Sequence, residues 1–248
     1  METVKMERSN REISHGRFLA AHDPELIWGW NTPAGQVRAE RRAMLIAEGA
    51  RLGPDVRCLE IGCGTGLFTE RFAAAGAHIV AVDISSELLE IAQRRGLDPE
   101  RVEFLQKPFE ACEVDGPFDA VIGSSILHHL DLALAVEKIR DLLKPGGVMS
   151  FAEPNMLNPQ IFLQKNIPWL KARLGDSPDE TAFTRWPLNR LLNRIGFDPV
   201  FISPFDWLHP QTPKSLIPYF RRLGQILESI PGISDFAGSL LIRAHRPF

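Results

Sequence analysis

The chain has 248 residues, of which 44% are hydrophobic, enough to bury the core of one large α/β domain or of a domain with a small appendage. Its formal charge of −3 and its pI near 6.2 give no overall basic field for a phosphate backbone, so nucleic acid is not the expected partner. The three cysteines, Cys58, Cys63 and Cys112, have neither zinc-ligand spacing nor a disulfide framework, and we expect reduced thiols.

Residues 1–37 are predicted to form an N-terminal lid or cap segment. The charged residues at its start do not resemble a secretory signal, and no apolar run is long enough to span a bilayer, so we expect a cytoplasmic protein without a transmembrane segment. Trp28 and Trp30 lie in a turn-rich stretch, where two indole rings are not expected to be fully exposed to water. They either cover the reaction site or pack on the core.

Residues 38–248 show helices and strands in alternation, which predicts a parallel sheet. Arg41 and Arg42 are expected on the solvated face of the first of these helices. The predicted helices are Arg38–Arg51, Leu67–Ala75, Ser86–Arg95, Leu132–Leu143 and Thr184–Ile195. The predicted strands are Arg57–Ile61, Ile79–Asp83, Val102–Gln106, Ala120–Ser124, Val148–Glu153, Val200–Ser203 and Gly238–His245. Two stretches interrupt the rhythm, at about 155–180 and 205–236, and are predicted to be helical insertions that cover an acceptor site.

The first strand runs into a glycine-dense turn, and the second strand ends on the acid Asp83. Such turns let a ligand press against the main chain, and the acid supplies a carboxylate for ribose hydroxyls. Leu67 occupies the position where a dinucleotide fingerprint has a small residue, so a pyrophosphate is less expected and a nicotinamide-dependent oxidoreductase is a weaker alternative. The turn glycines are Gly62, Gly64 and Gly66.

These motifs, with the later Phe118–Ile122, Leu127–Leu130 and Leu142–Gly147, resemble the class I S-adenosylmethionine-dependent methyltransferases from about Arg38 to Pro154. The resemblance implies an α/β, Rossmann-like fold: one extended domain whose seven-stranded, mostly parallel sheet has the order 3-2-1-4-5-7-6. It also implies S-adenosylmethionine as the cofactor and S-adenosylhomocysteine as its product.

The same resemblance implies a set of cofactor-binding residues around the glycine turn. Pro108 stands where many relatives have an acid that binds the adenine amine, so the Phe109 backbone, apolar packing and Glu110 remain alternatives for adenine recognition. The implied set is Glu60, Gly62, Cys63, Gly64, Gly66, Asp83, Ile84, Pro108, Phe109, Ser124 and His129.

His128 is the predicted catalytic residue, because imidazole titrates near neutral pH and can take a proton from the acceptor. It can also merely shape the site, and His129 is expected to fix the start of the following helix. No metal is expected unless His128 and Glu153 converge. The predicted substrate-binding residues are Trp28, Trp30, Ser125, Glu153, Asn155 and Trp207.

Together these features predict methyl transfer to O, N or C of a small or amphipathic acceptor, with the aromatic insertions favouring an apolar or aromatic one. Ser124–Leu127 lacks the Asn/Asp-Pro-Pro-aromatic motif of many base-methylating enzymes, which again argues against nucleic acid. The alternatives are a protein or nucleic-acid methyltransferase and a non-catalytic S-adenosylmethionine-binding regulatory protein. The oligomeric state is not indicated.

Overall fold

The computed structural model describes residues 2–174, 176–177 and 180–248, with side chains from residue 8 onward. One seven-stranded sheet has the order β3-β2-β1-β4-β5-β7-β6, which confirms the predicted topology and fold class. The strands are β1 Arg57–Ile61, β2 His78–Asp83, β3 Val102–Gln106, β4 Phe118–Ser124, β5 Leu143–Pro154, β6 Val200–Phe205 and β7 Ser239–His245.

Helices cover both faces of this sheet. The first five are α1 Glu2–Ala21, α2 Pro24–Ile27, α3 Pro33–Gly49, α4 Leu67–Ala73 and α5 Ser86–Gln93. The others are α6 Leu132–Leu142, α7 Pro159–Asn166, α8 Pro168–Arg173, α9 Arg185–Ile195 and α10 Ile217–Glu228. Among the described helices, none combines the length and apolarity needed to cross a membrane.

The first five strands pair in parallel, and β7 pairs antiparallel with both β5 and β6. The strands that lie inside the sheet are covered on both faces, so their side chains form two apolar clusters. Because β1, β2 and β4 run in the same direction, their carboxyl ends meet at one edge of the sheet. That edge is where an open α/β sheet holds its ligands.

The N-terminal segment differs most from the sequence-based prediction. It contains the 20-residue helix α1, which has only a weak apolar stripe because charged and small residues alternate along it. Helix α3 begins at Pro33, five residues before the predicted start, because Thr32 caps it: the Thr32 hydroxyl accepts a hydrogen bond from the Gly35 N–H at 2.9 Å.

The two predicted insertions are helical in part. Residues 155–180 contain α7 and α8, and residues 205–236 contain α10. Both leave the sheet at strand ends on the ligand-holding edge, after β5 and β6. Strand β5 also begins earlier than predicted, at Leu143, because residues 144–147 form an irregularity in its pairing with β4.

Candidate cofactor and acceptor site

The glycine turn after β1 follows a backbone path that favours glycine. Gly62, Gly64 and Gly66 have φ values of +66°, +52° and +73°. A Cβ at Gly62 would lie 2.4 Å from the Ile126 side chain, whereas at Gly64 it would project toward Trp28, 3.5 Å from the indole ring. Gly64 therefore leaves the backbone open on the side of the turn that faces the cavity, and Gly62 lets the turn pack against residue 126.

Asp83 ties the end of β2 to this turn. Its Oδ2 accepts a hydrogen bond from the Gly64 N–H at 2.8 Å, and its Oδ1 accepts one from the Ser85 N–H at 2.9 Å. Burial raises the pKa of Asp83 above its usual value, although both N–H donors favour the carboxylate. The carboxylate also faces the cavity, so its remaining lone pairs are directed at whatever binds there.

A cavity of about 840 Å³ lies at this edge of the sheet. Segments 8–30, 158–180 and 206–211 contribute to its walls, together with the carboxyl ends of β1, β2 and β4. The predicted site residues that line it are Trp28, Trp30, Gly62, Cys63, Gly64, Asp83, Ile84, Pro108, Phe109, Ser124, Ser125, His128, His129 and Trp207.

Four predicted site residues do not line the cavity. Gly66 packs on α5, where a Cβ would lie 3.0 Å from that of Ala92. Glu60 is 2% exposed beneath the turn, and burial raises its pKa to about 8. Asn155 is fully buried, and its amide donates to the carbonyls of Asp235 and Ala237 while its Oδ1 accepts from Leu157.

Glu153 is the fourth, and its contacts explain why it lies behind the wall. Its Oε1 accepts hydrogen bonds from the N–H groups of Ile126 and Leu127, both at 2.9 Å. Its Oε2 lies 2.6 Å from Nδ1 of His128. The two residues that were considered for a metal thus do converge, but Glu153 orients the turn 126–128 and the His128 ring, and it does not reach the cavity.

His128 is 3% exposed and lines the cavity, and its other ring nitrogen, Nε2, lies 3.4 Å from Oε1 of Glu180. Burial disfavours the imidazolium, but the Glu153 carboxylate and Glu180 outweigh burial and raise the pKa of His128 to about 9. At neutral pH both ring nitrogens of His128 therefore carry a proton. The ring can accept a proton from the acceptor only after it has lost one of these two.

No sequence pattern predicts several of the charged contacts in the site. Nε2 of His128 lies 3.4 Å from Oε1 of Glu180, and Nδ1 of His129 lies 3.1 Å from Oε2 of Glu12. Lys165 contacts Glu180 and lies 2.8 Å from Asp176. These residues come from α1 and from 155–180, far from the turn along the chain, and no local motif links them.

Arg42 corrects the expectation of a solvated helix face. It is 3% exposed, and its guanidinium donates to the hydroxyls of Ser124, Ser125 and Ser239 at 2.8–2.9 Å. It also donates to the carbonyl of Ala152 at 2.6 Å. Burial lowers the pKa of Arg42 to about 10. Arg42 thus holds the serine pair that ends β4 in place, while its neighbour Arg41 pairs with Glu228.

The N-terminal segment is fastened to the glycine turn. Glu25 contacts Arg95 and accepts a hydrogen bond from the Thr65 hydroxyl at 3.2 Å, while Arg95 donates to the Thr65 carbonyl at 2.7 Å. Nearby, Trp30 packs edge-on against Phe68, with ring centroids 5.5 Å apart. These contacts position Trp28 against Gly64.

Residues 107–111, which follow β3, form another part of the cavity wall. Phe109 is buried, and Pro108, Phe109 and Glu110 all line the cavity. Glu110 accepts a hydrogen bond from the Asp131 N–H at 3.2 Å, and this contact occupies one of its carboxylate oxygens. The alternatives for adenine recognition therefore all remain at this place, and Ile84 lines the cavity beside them.

Part of the chain is similar in sequence to known methyltransferases. Residues 58–147 match the family model described as a methyltransferase domain. The chain is 39% identical to a ubiquinone biosynthesis O-methyltransferase of Xylella fastidiosa over 95 residues, which are 37% of this chain and 39% of that protein. It is 26% identical to nodulation protein S of Rhizobium tropici over 148 residues, 58% of this chain and 60% of that protein. The chain thus spans less than two thirds of these relatives.

The fold also matches a solved structure over nearly its whole length. The N-methyltransferase NodS of Bradyrhizobium japonicum, in complex with S-adenosylhomocysteine, superposes with a TM-score of 0.64 at 15% identity. The match covers 95% of this chain and 98% of that one. At this identity the likeness concerns the fold, which is the one that the family resemblance of the glycine turn and the later motifs implied.

Proposed function

We propose that this chain, a member of the class I S-adenosylmethionine-dependent methyltransferase family, transfers a methyl group from S-adenosylmethionine to a small organic acceptor and releases S-adenosylhomocysteine. One observation carries the proposal: the open backbone at Gly64 and the carboxylate of Asp83 face the same cavity. A nucleoside needs both a side-chain-free surface and an acceptor for its ribose hydroxyls.

The residues around the turn fit the cofactor. Asp83 would accept the ribose hydroxyls, Gly62–Gly64 would support the ribose and methionine parts, and Ile84 with Phe109 would enclose the adenine. Trp28 would cover the sulfonium region, since it lies opposite Gly64. When bound, the cofactor supplies a methyl group already activated on sulfur, so the protein needs chiefly to align the acceptor, exclude water and accommodate a proton.

The remaining cavity supports a small or amphipathic acceptor. Ser125, His128 and Trp207 line the same cavity as Asp83, and residues within 158–180 and 206–211 also line it. A concave cavity walled by several chain segments favours a small molecule over a protein or nucleic-acid strand, which needs an extended groove. The relatives' names include both an O- and an N-methyltransferase, so the methylated atom stays open.

A second cavity supports an apolar part of the acceptor. It measures about 420 Å³, lies between α3 and α10 and is mostly apolar. It shares Arg38, Asp206, Trp207 and Leu208 with the main cavity, so the two are neighbours, and the ion pair of Arg38 with Asp206 lines both. An acceptor with an apolar tail would place its reactive group near His128 and its tail past Trp207, toward Met44 and Phe220. The buried free thiols of the three cysteines are consistent with the proposed cytoplasmic location.

Cofactor binding is tested by calorimetry with S-adenosylhomocysteine and with NAD. We expect S-adenosylhomocysteine to bind to the protein, whereas NAD should not bind. Asp83→Ala should weaken binding by roughly 1.5–3 kcal/mol, about 10- to 150-fold, because charged hydrogen bonds to the ribose are lost. Asp55→Ala, at an exposed position, is the control and should bind normally. Tight binding of NAD alone would overturn the assignment.

Methyl transfer is tested separately, by mass spectrometry of a metabolite extract incubated with the protein and a methyl-labelled cofactor. A labelled product identifies the acceptor. His128→Ala should slow turnover and leave the affinity for S-adenosylhomocysteine nearly unchanged. Cofactor binding without a labelled product from any extract would favour the regulatory alternative.

A further inference from the structure

The cluster at the acceptor end of the cavity contains nitrogen and oxygen atoms at the spacing of metal ligands. One ligand atom each of His128, His129 and Glu180 lies within 4.8 Å of the other two. Nε2 of His128 and Oε1 of Glu180 are 3.4 Å apart. Two atoms that bind the same ion at about 2.0–2.2 Å in tetrahedral geometry lie roughly 3.3–3.6 Å apart. The separation of His128 from Glu180 falls in this range.

The His128 ring is held as metal-binding histidines are held. Its Nδ1 faces Oε2 of Glu153 at 2.6 Å, and Glu153 is itself fixed by the N–H groups of Ile126 and Leu127. A carboxylate at one ring nitrogen sets the ring orientation and makes the other nitrogen a stronger ligand. In this protein the other nitrogen is directed at Glu180.

The charges around the cluster also leave room for a cation. Four carboxylates, those of Glu12, Glu153, Asp176 and Glu180, lie in or beside it, and Lys165 contributes an ammonium group that contacts Asp176 and Glu180. A metal ion would displace the proton that His128 carries at neutral pH, and once both imidazoles are neutral the four carboxylates exceed this ammonium by three charges. A divalent ion would offset most of that excess.

We propose that His128, His129 and Glu180 bind a divalent transition-metal ion of the zinc class. Two imidazoles with a carboxylate suit Zn²⁺ and Co²⁺, whereas Mg²⁺ and Ca²⁺ prefer sites made of oxygen alone. The use of the ion rests on the proposed function: it would hold the oxygen or nitrogen of the acceptor at the His128 end of the cavity. The binding of the ion does not depend on that function.

The proposal is tested on tag-free, chelator-treated full-length protein by titration with Co²⁺, followed by its visible absorption, and with Zn²⁺, followed by calorimetry. We expect one ion per chain. Glu180→Gln and His129→Ala should each weaken binding by at least about tenfold, whereas His209→Ala, a cavity histidine outside the cluster, should not. Circular dichroism of each variant establishes that it is folded.

Lys165→Met provides a readout that a purely structural cluster would not give. The Lys165 ammonium contacts the Glu180 carboxylate and competes with a metal ion for it. Removal of this ammonium should therefore tighten Co²⁺ binding. Absence of stoichiometric binding in both wild type and Lys165→Met, or binding that Glu180→Gln and His129→Ala leave unchanged, would show a closed ion-pair network and overturn the proposal. S-adenosylhomocysteine affinity of the same metal-free protein reports on the proposed function independently.

Discussion

Glu60 is a buried acid that does not line the cavity. It lies near the end of β1, enclosed beneath the glycine turn, and one of its oxygens has no hydrogen-bond partner among the described residues. Burial, with repulsion from Asp83, raises the pKa of Glu60 to about 8. At neutral pH it is therefore mostly a neutral acid, which is less costly to bury than a carboxylate.

This raised pKa predicts a pH dependence of stability. Below pH 4.5 Glu60 is protonated in both states; above it the unfolded chain loses the proton while the folded chain keeps it up to about pH 8. Its contribution to the free energy of unfolding thus falls by about 1.4 kcal/mol per pH unit across that window. Glu60→Gln should remove this fall, and urea unfolding at pH 5, 6.5 and 8 measures it.

The comparison requires a matched variant, because other groups titrate in the same window. Glu90→Gln on α5 is exposed and should follow the wild type at every pH. We expect Glu60→Gln to be more stable than the wild type at pH 8, by on the order of 2–4 kcal/mol, with a smaller difference at pH 5. Parallel curves for Glu60→Gln and the wild type would show that Glu60 is ionised in the folded protein.

Single residues were predictable where a local pattern fixes their place. Asp83 is the last residue of an apolar strand and Gly64 lies three residues after the end of another, so the parallel sheet brings both to one edge. Asn155 also follows a strand, but its amide is taken up by the carbonyls of residues 235 and 237, eighty residues away. Glu180 likewise contacts His128, a residue far from it along the chain, and no sequence spacing predicts this contact.

At the scale of elements, strands were predicted more closely than the N-terminal helix. The strands inside the sheet are short, apolar and bounded by turns, so composition alone marks them. Helix α1 has no continuous apolar face, and it is held by its fit against α5 together with the contact of Glu12 with His129. Leu19 is buried, and Arg17 pairs with Glu87 of α5 at the surface. A helix held by such contacts cannot be recognised from periodicity.

Gly16 makes the fit of α1 against α5 testable. A Cβ at this position would lie 2.6 Å from Oγ of Ser85, the residue that caps α5 and is 1% exposed. Gly16→Val should therefore push α1 away from α5, although valine forms helices better than glycine. We expect faster proteolysis within α1 and weaker binding of S-adenosylhomocysteine, since α1 lines the cavity.

The matched variant is Ser14→Val, an exposed position on the same helix. It introduces the same side chain without a contact to α5, and its proteolysis and affinity should equal those of the wild type. Limited proteolysis followed by mass spectrometry locates the cleavage, and calorimetry gives the affinity. If α1 of Gly16→Val stays as protected as that of Ser14→Val, the close approach of α1 to α5 does not hold the helix.

At the scale of the whole molecule, the sheet edge supplies one wall of the cavity, and three chain segments supply much of the rest. The sheet edge carries the glycine turn, Asp83 and the serine pair that Arg42 fixes. Segments 8–30, 158–180 and 206–211 reach the cavity from separate parts of the chain. Connecting segments open more readily than a core sheet, so a ligand can enter by displacing them.

Hydrogen exchange of the full chain should reveal this division. Bound S-adenosylhomocysteine should slow exchange in α1 and at residues 24–30, because Trp28 lies against Gly64 and α1 lines the same cavity. Strands β1 and β4 should change little, since their amides are already protected inside the sheet. Segment 158–165 should respond only when an acceptor or a metal ion is added, because it lines the His128 end. Uniform slowing over the whole chain, or no change in α1, would contradict the assignment of these segments as a cover over two adjoining subsites.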